Sequence, residues 1–211
     1  MNQKIVITIS REYGSGGRAV GEELARELKV EYYDKDIIKM AAEESGINEG
    51  LFNLTEEKLK GSVLSRITRA IYKGELLNPS SQDFTSAENL FSFQAEVIKK
   101  LSETESCIIV GRCADFVLKD RDNVVRVFIH APKEYRVSEA AKRRSMSARE
   151  LDKYVDKVNR EREVYYEHFT GEKWADAHHF DLCLDASKLG VHKCVELIKG
   201  YMKIRFDGLE F

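Results

Sequence analysis

The sequence has 211 residues, 43% of them hydrophobic and 33% charged, which is long enough for one domain with a full core. Its 34 Lys and Arg residues against 36 Asp and Glu give a net charge of -2, which argues against a bulk nucleic-acid binder. No apolar run reaches the roughly 18 residues of a membrane span, and the first residues lead into a strand rather than a signal peptide. We therefore expect a soluble cytoplasmic protein with a single domain, residues 1–211, and with no nucleic-acid or membrane partner.

Short runs of β-branched residues alternate with amphipathic helices along the chain. The predicted strands are 4–10, 30–33, 107–110, 124–129 and 182–184. The predicted helices are 18–29, 35–45, 86–103, 133–144, 148–169 and 190–203. Residues 46–85 interrupt this alternation with glycines and Pro79, so they are interpreted as an insertion. The pattern predicts an α/β fold, with a parallel sheet covered by helices on both faces.

The cysteines do not have the spacing of a metal site. Four are present, without a CxxC pair, and they are interpreted as reduced, mostly buried thiols: Cys107, Cys113, Cys183 and Cys194. The adjacent His178 and His179 point apart on most backbones, which favours a loop or interface role over metal binding. No metal ligand is therefore assigned.

A glycine-rich turn separates the first predicted strand from the first helix. It contains Gly14, Ser15, Gly16 and Gly17, followed directly by Arg18. Glycines can turn their amide groups around an anion, and the positive end of the following helix adds a partial charge of about +0.5. The turn is predicted to bind a phosphate.

The spacing of this turn approaches that of a P-loop, G-x-x-x-x-G-K-[ST]. In the alignment that ends on Gly17, the first-glycine, lysine and hydroxyl places hold Glu12, Arg18 and Ala19. In the alignment that ends on Gly16, the same three places hold Arg11, Gly17 and Arg18. Either alignment places a guanidinium near the phosphates, where it can serve an oxyanion as an ammonium does.

Two questions about this turn stay open from the residues alone. The Mg²⁺ ligand is unassigned, and Ser15 and Ser10 are the nearest hydroxyls. The segment Gly14–Ala19 also satisfies the dinucleotide fingerprint G-x-G-x-x-[GA], with Asp34 about 20 residues on as a ribose-binding acid. An NAD(P)-dependent oxidoreductase is therefore an alternative.

Three segments together resemble the cytidylate kinase-like family, a branch of the nucleoside monophosphate kinases. They are Ile7–Arg18, Tyr32–Ile38 and Ile109–Asp115. The resemblance implies a P-loop kinase fold with an acceptor-binding helical insertion, residues 46–85, and an arginine-bearing lid, residues 142–180. It implies ATP and Mg²⁺ as cofactors, and a small acceptor such as a nucleoside monophosphate as the partner molecule.

The resemblance also implies roles for particular residues. Arg112 matches the arginine of a Gly-Arg-Asp motif that binds the acceptor, whereas Cys113 stands in the aspartate place. Asp34 matches an acceptor-binding aspartate. The phosphate donor, ATP, would be held by the glycine turn together with Arg11 and Arg18. The lid would supply Arg160 and Arg162 to the phosphoryl group during transfer.

Arg162 is notable from the helical pattern alone. It falls at the centre of an apolar stripe on the predicted helix 148–169. A buried guanidinium needs an anionic partner, which is a carboxylate of the protein or a phosphate.

We expect a kinase that moves the ATP γ-phosphate to a small acceptor, with Arg18, Arg160 and Arg162 as catalytic residues. Because the P-loop lysine is absent, a non-catalytic nucleotide sensor is the second hypothesis. The C-terminal tail carries Phe206 and Phe211, and it is interpreted as a segment that docks on its own domain or supports a homodimer.

Overall fold

The computed structural model describes residues 4–61, 72 and 74–206, with side chains described outside 56–61. Its central strand is β1, Val6–Arg11. The other strands are β2 Glu31–Tyr33, β3 Cys107–Val110, β4 Val124–His130 and β5 Leu182–Asp185. All neighbouring strands pair in parallel, in the order β2-β3-β1-β4-β5.

The helices of the described residues follow the strands in alternation. They are α1 Gly17–Leu28, α2 Asp36–Ser45, α3 Glu49–Gly61, α4 Ala87–Thr104, α5 Ala114–Val117, α6 Lys133–Ala141, α7 Ala148–Thr170 and α8 Ala186–Arg205. Every predicted strand and helix has a counterpart. The prediction of an α/β fold with a parallel sheet is confirmed.

The central strand explains why helices cover both faces of the sheet. Successive side chains of a strand point to opposite faces. Ile7 and Ile9 pack with α1 and α8 on one face, while Val6 packs with α2 and α4 on the other, and all three are buried. The prediction of helices on both faces is therefore confirmed.

An aromatic cluster contains residues of α7, of α4, of β4 and of the turn after β3. Phe169 of α7 stacks on Phe91 of α4, with ring centroids 4.2 Å apart and planes 7° apart. Phe128 of β4 contacts Trp174 edge-on at 5.5 Å. Such pairs add to the energy of apolar burial. The cluster holds α7 beside the sheet edge where ligands of open parallel sheets bind.

Differences from the predicted elements are local. Helix α8 begins at Ala186, and Gly190, with φ 72° and ψ 170°, interrupts it at the predicted start. Helix α3 lies within the predicted insertion, where frequent glycines obscured its periodicity. Residues 62–71 and 73 of that insertion, and 207–211 of the tail, lie outside the described residues.

Candidate active site at the end of the first strand

The turn between β1 and α1 depends on glycine. Gly14 and Gly16 have φ values of 81° and 89°, which residues with a Cβ rarely adopt. At Gly14 a Cβ would also overlap the backbone carbonyl of Arg136. The chain therefore passes close under α6 with a conformation that favours glycine.

Contacts within the protein fix the outer part of the turn. The Tyr13 amide donates to Asn159 Oδ1 of α7 at 2.7 Å. The Glu12 carboxylate accepts from the Ala131 amide at 3.0 Å and lies 3.3 Å from Arg136 Nε. These contacts connect the turn to α6 and α7.

The amides at the start of α1 face outward from this scaffold. Gly16 caps the helix without a side-chain hydrogen bond. Among the described residues, no acceptor is found for the amides of Gly14, Gly16, Gly17 and Arg18. The turn thus presents several donors at the positive end of a helix, an arrangement that binds anions.

Ser15 behaves differently from the rest of the turn. Its Oγ lies 3.0 Å from the carbonyl oxygens of Glu12 and Ile129, to which it donates, and its amide donates to Glu12 at 3.4 Å. The residue is fully buried and does not line the cavity. Ser15 was expected to bind the phosphate donor. In the structure its hydroxyl and its amide both make hydrogen bonds within the protein instead.

A cavity of about 520 Å³ opens in front of these amides. It lies between the turn, the end of β3, α6 and α7. The basic residues that line it are Arg11, Arg18, Lys35, Arg112, Arg143, Arg144 and Arg162. The acidic ones are Glu12, Asp34, Glu139 and Glu161. The excess of positive charge in one concave site favours an anionic ligand.

Arg11 and Arg18 share one carboxylate. Asp34 is buried, and its two oxygens lie 3.6 Å from a guanidinium nitrogen of Arg11 and of Arg18. Burial lowers the pKa of Arg11; Asp34 opposes this, while Arg112 and Arg18 reinforce it. Asp34 was expected to bind the acceptor or, in the dinucleotide alternative, a ribose. In the structure Asp34 lines the cavity and forms ion pairs with both arginines, and its contact with an acceptor stays a prediction.

Arg162 enters the cavity as its place on the apolar stripe of α7 predicts. Its Nη1 donates to the Arg11 carbonyl oxygen at 2.7 Å. Burial, with Arg11 as a further cause, lowers the pKa of Arg162 to about 9, so the group stays charged at neutral pH. Within the described part of the chain, no carboxylate forms an ion pair with it. An anion in the cavity would therefore stabilise its charge.

Arg160 does not enter the cavity. Its Nη1 pairs with Glu163 Oε2 at 2.6 Å, and its side chain is 52% exposed. Two residues along an α-helix are about 200° apart, so Arg160 and Arg162 project from nearly opposite sides of α7. The expectation that both arginines close over one phosphate is corrected, because the helical phase allows only Arg162 to reach it.

The turn after β3 places Arg112 at the cavity. Gly111, Arg112 and Cys113 all have left-handed backbone angles, with φ of 77°, 59° and 53°. Cys113 is buried, and burial raises the pKa of its thiol well above the usual value. The residue that replaces the expected aspartate thus lines the cavity as a neutral thiol and packs in the aromatic cluster.

Asp115 is a buried acid that the sequence reasoning did not assign to the site. It accepts from Ser10 Oγ at 3.2 Å and from Tyr166 at 2.8 Å, and both partners line the cavity. Burial raises its pKa, against these two hydrogen bonds. An acid flanked by Ala114 and Phe116 in an apolar segment was a signal for a buried carboxylate.

This combination of elements defines a P-loop kinase-like fold. It has a central parallel strand, a glycine turn leading into a helix, and arginines on a facing helical segment. The chain belongs to the cytidylate kinase-like family, which it matches over residues 6–188. Family and fold together support a kinase-like phosphotransferase.

Solved structures share this fold. A protein from Eubacterium ventriosum ATCC 27560, described as uncharacterized, is 24% identical with a TM-score of 0.68, over 95% of this chain and 99% of that chain. Shikimate kinase from Bacteroides thetaiotaomicron is 12% identical with a TM-score of 0.53, over 94% and 98%. A gluconokinase from Sinorhizobium meliloti 1021 is 13% identical with a TM-score of 0.51, over 99% and 100%.

No curated protein matches the chain significantly. Within the described residues, every helix is too short or too polar to cross a membrane.

Proposed function

We propose that this protein transfers the γ-phosphate of ATP to a nucleoside monophosphate or a similar small anionic acceptor. The observation that carries the proposal is that unpaired amides at the start of α1 and the charged Arg162 face the same cavity. Phosphoryl transfer requires mainly positioning and neutralisation of charge. This inventory of amides and guanidinium groups suits that reaction.

The donor would lie on the turn between β1 and α1. The amides of Gly14, Gly16 and Gly17 would hold its β-phosphate, and the guanidinium groups of Arg11 and Arg18 would neutralise its oxygens. Asp34 would position both arginines, since it lies 3.6 Å from each.

Mg²⁺ requires oxygen ligands, and Ser10 fits that requirement better than Ser15. Ser10 donates its proton to Asp115, which leaves its lone pairs for the cavity that it lines. Ser15 instead uses its hydroxyl inside the protein. When bound with ATP, Mg²⁺ would neutralise charge on the β- and γ-phosphate oxygens.

The acceptor would lie between the turn after β3 and α7. Arg112 lines that side of the cavity, and its guanidinium can bind a phosphate or carboxylate in a bidentate manner. Arg162 would contact the transferring phosphoryl group from α7. One charge-assisted contact that strengthens in the transition state contributes roughly 2–4 kcal/mol.

A nucleotide sensor without catalysis is the second candidate. It is favoured by the residues in the two P-loop alignments, since neither alignment has a lysine at the lysine place or a serine or threonine at the hydroxyl place. A sensor would be stabilised by ATP and would transfer no phosphate.

The test is a panel of nucleoside monophosphates and nucleosides with Mg-ATP, monitored for ADP release. A matched pair of variants on α7 accompanies it. Arg162→Met should lower transfer at least about tenfold, because a transition-state contact is lost. Arg160→Met should leave the rate unchanged, because Arg160 lies outside the cavity.

Each outcome assigns a function. An acceptor that releases ADP, with loss only in Arg162→Met, supports the proposed kinase. Thermal stabilisation by ATP without transfer to any acceptor supports the sensor. Equal loss in both variants would contradict the role given to Arg162.

A further inference from the structure

Arg11 and Gly17 align with the first glycine and the lysine of the P-loop pattern, respectively. In the alignment that ends on Gly16, Arg11 stands where a P-loop has its first glycine, and Gly17 stands where it has its lysine. Resting on the proposed function, we infer that Arg11 supplies the cation of the missing lysine. The glycine and the cationic side chain have exchanged places across the turn.

The geometry of the two positions supports this exchange. A Cβ added to Gly17 would lie 2.5 Å from Arg11 Cβ and 3.0 Å from Arg11 Cγ. Side chains rooted at positions 11 and 17 therefore begin at nearly the same point in space. Only one of the two positions can carry a side chain there, and in this protein it is position 11.

A second glycine makes room for the other end of Arg11. A Cβ on Gly111, in the turn after β3, would overlap Arg11 Nη1. The Arg11 side chain thus runs between Gly17 and Gly111, from the end of β1 toward the end of β3. The two glycines lie on different elements and flank the stem and the head of one arginine.

Arg11 is held in place from two sides. Arg162 donates to its carbonyl oxygen at 2.7 Å, and Asp34 lies 3.6 Å from its guanidinium. Its side chain is 19% exposed, so the head is preorganised at the cavity and not free in solvent. A preorganised cation binds an anion with little loss of side-chain entropy.

Arg18, the candidate of the other alignment, is less suited to this role. Its side chain is 55% exposed, and its Nε lies 3.1 Å from Glu22 on the outer surface of α1. Arg18 assists the donor from the rim of the cavity, whereas Arg11 provides the inner cation.

The inference is tested by Mg-ATP affinity, measured by titration calorimetry on the full chain. Arg11→Ala should weaken Mg-ATP binding at least about tenfold, because a charge-assisted contact is lost. Arg18→Ala should weaken it less. The inference is overturned if Arg18→Ala costs more affinity than Arg11→Ala, or if Arg11→Ala binds as the parent does.

Moving the cation gives a sharper test. Arg11→Gly with Gly17→Lys creates G-x-x-x-x-G-K, and Gly17 lacks the positive φ that would exclude lysine. With Arg11 gone, the next neighbour of the new Cβ is Ile129 Cβ at 3.2 Å, which must shift slightly. The double variant should bind Mg-ATP at least about fivefold tighter than Arg11→Gly alone.

Single and double variants are compared after each shows a cooperative melt. Gly17→Lys alone should melt lower than the parent, because its stem would overlap Arg11. A cooperative double variant that binds no better than Arg11→Gly overturns the inference. Parent protein that binds Mg-ATP but phosphorylates no acceptor refutes the proposed kinase and leaves the Arg11 result standing. If the parent protein does not bind Mg-ATP, both the proposed kinase function and the inference about Arg11 are overturned.

Discussion

Two turns at the carboxyl ends of neighbouring strands border the cavity, and they are built differently. The turn after β1 uses glycine at both of its left-handed positions, Gly14 and Gly16. The turn after β3 has three left-handed residues in succession, and only Gly111 among them is glycine. The other two, Arg112 and Cys113, carry side chains.

The difference indicates what each turn contributes to the site. A left-handed angle costs a residue with a Cβ roughly 1–2 kcal/mol. The first turn avoids this cost, since its two left-handed positions, Gly14 and Gly16, line the cavity with backbone alone. The second turn accepts it, since the Arg112 side chain lines the cavity and Cys113 packs in the aromatic cluster.

Hydrogen bonds of the short helix α5 hold the second turn in this conformation. The Ala114 amide donates to the Gly111 carbonyl at 3.1 Å, and the Val117 amide donates to the Cys113 carbonyl at 2.9 Å. Backbone strain of this kind persists only where surrounding contacts over-determine it. It concentrates at functional sites, which agrees with the acceptor side that we propose.

The largest expected effect is at the first turn. Gly14→Ala should lower the free energy of unfolding by about 3 kcal/mol or more, because it adds a clash with the Arg136 backbone to an unfavourable φ. Gly46→Ala is the matched control, since Gly46 has a φ of 70° with no atom within 4 Å of the added Cβ. It should lose only about 1–2 kcal/mol.

Urea denaturation of both variants measures the difference. Equal losses would mean that only the backbone angle matters at Gly14. The close approach to α6 would then not explain the glycine.

A smaller effect is expected at the second turn. Arg112→Gly and Arg112→Ala remove the same side chain, but only glycine relieves the left-handed angle. Arg112→Gly should therefore be more stable than Arg112→Ala by about 1 kcal/mol. Both should lose acceptor binding to the same extent, because both lack the guanidinium.

Thermal melts and acceptor titrations of the pair separate strain from function. If the melting temperature of Arg112→Ala equals or exceeds that of Arg112→Gly, the backbone at this position is not strained. If the two differ in acceptor affinity, the backbone conformation contributes to binding as well.

The smallest expected effect on stability is at Asp115, which follows the second turn and accepts a hydrogen bond from Ser10 at the end of β1. Burial raises its pKa above the ordinary value of 3.8, so the folded state binds a proton more tightly than the unfolded state does. The contribution of Asp115 to stability should therefore decrease as pH rises from 3.8 through the raised pKa. Asp115→Asn should lack this dependence.

The measurement is the free energy of unfolding of parent and Asp115→Asn across the acid range. The parent should lose stability relative to the variant as pH rises. The two hydrogen bonds that asparagine disturbs add an offset independent of pH. A difference that stays constant, or that changes in the opposite direction, contradicts a raised pKa.

Much of this fold could be predicted because local patterns specify it. The helix predicted at 86–103 is Ala87–Thr104, and the strand predicted at 107–110 has those bounds. An apolar stripe or a β-branched run depends on neighbours in the chain, which a sequence shows directly. The bounds of helix α3 could not be read from periodicity, because the glycines around it weaken that signal; the family resemblance implied only a helical insertion over 46–85.

The site was predictable only in part. The glycine turn follows from composition and the place of Arg162 from helical period, and both lie at the cavity. Asp115 was missed because its donors are 105 and 51 residues away. Arg160 was placed wrongly because the expectation came from the family's lid and not from the phase of its own helix.

The sequence by itself determined the order of strands and helices along the chain, the glycine turn and the place of Arg162 on the apolar stripe of α7, because each depends on short-range spacing. Only the tertiary structure decided which charges meet. Arg11, Asp34 and Gly111 lie on different elements, and packing of the sheet brings them within contact. The position of the Arg11 side chain depends on that packing. Only the folded chain therefore shows that the stem of Arg11 occupies the space that a side chain at Gly17 would need.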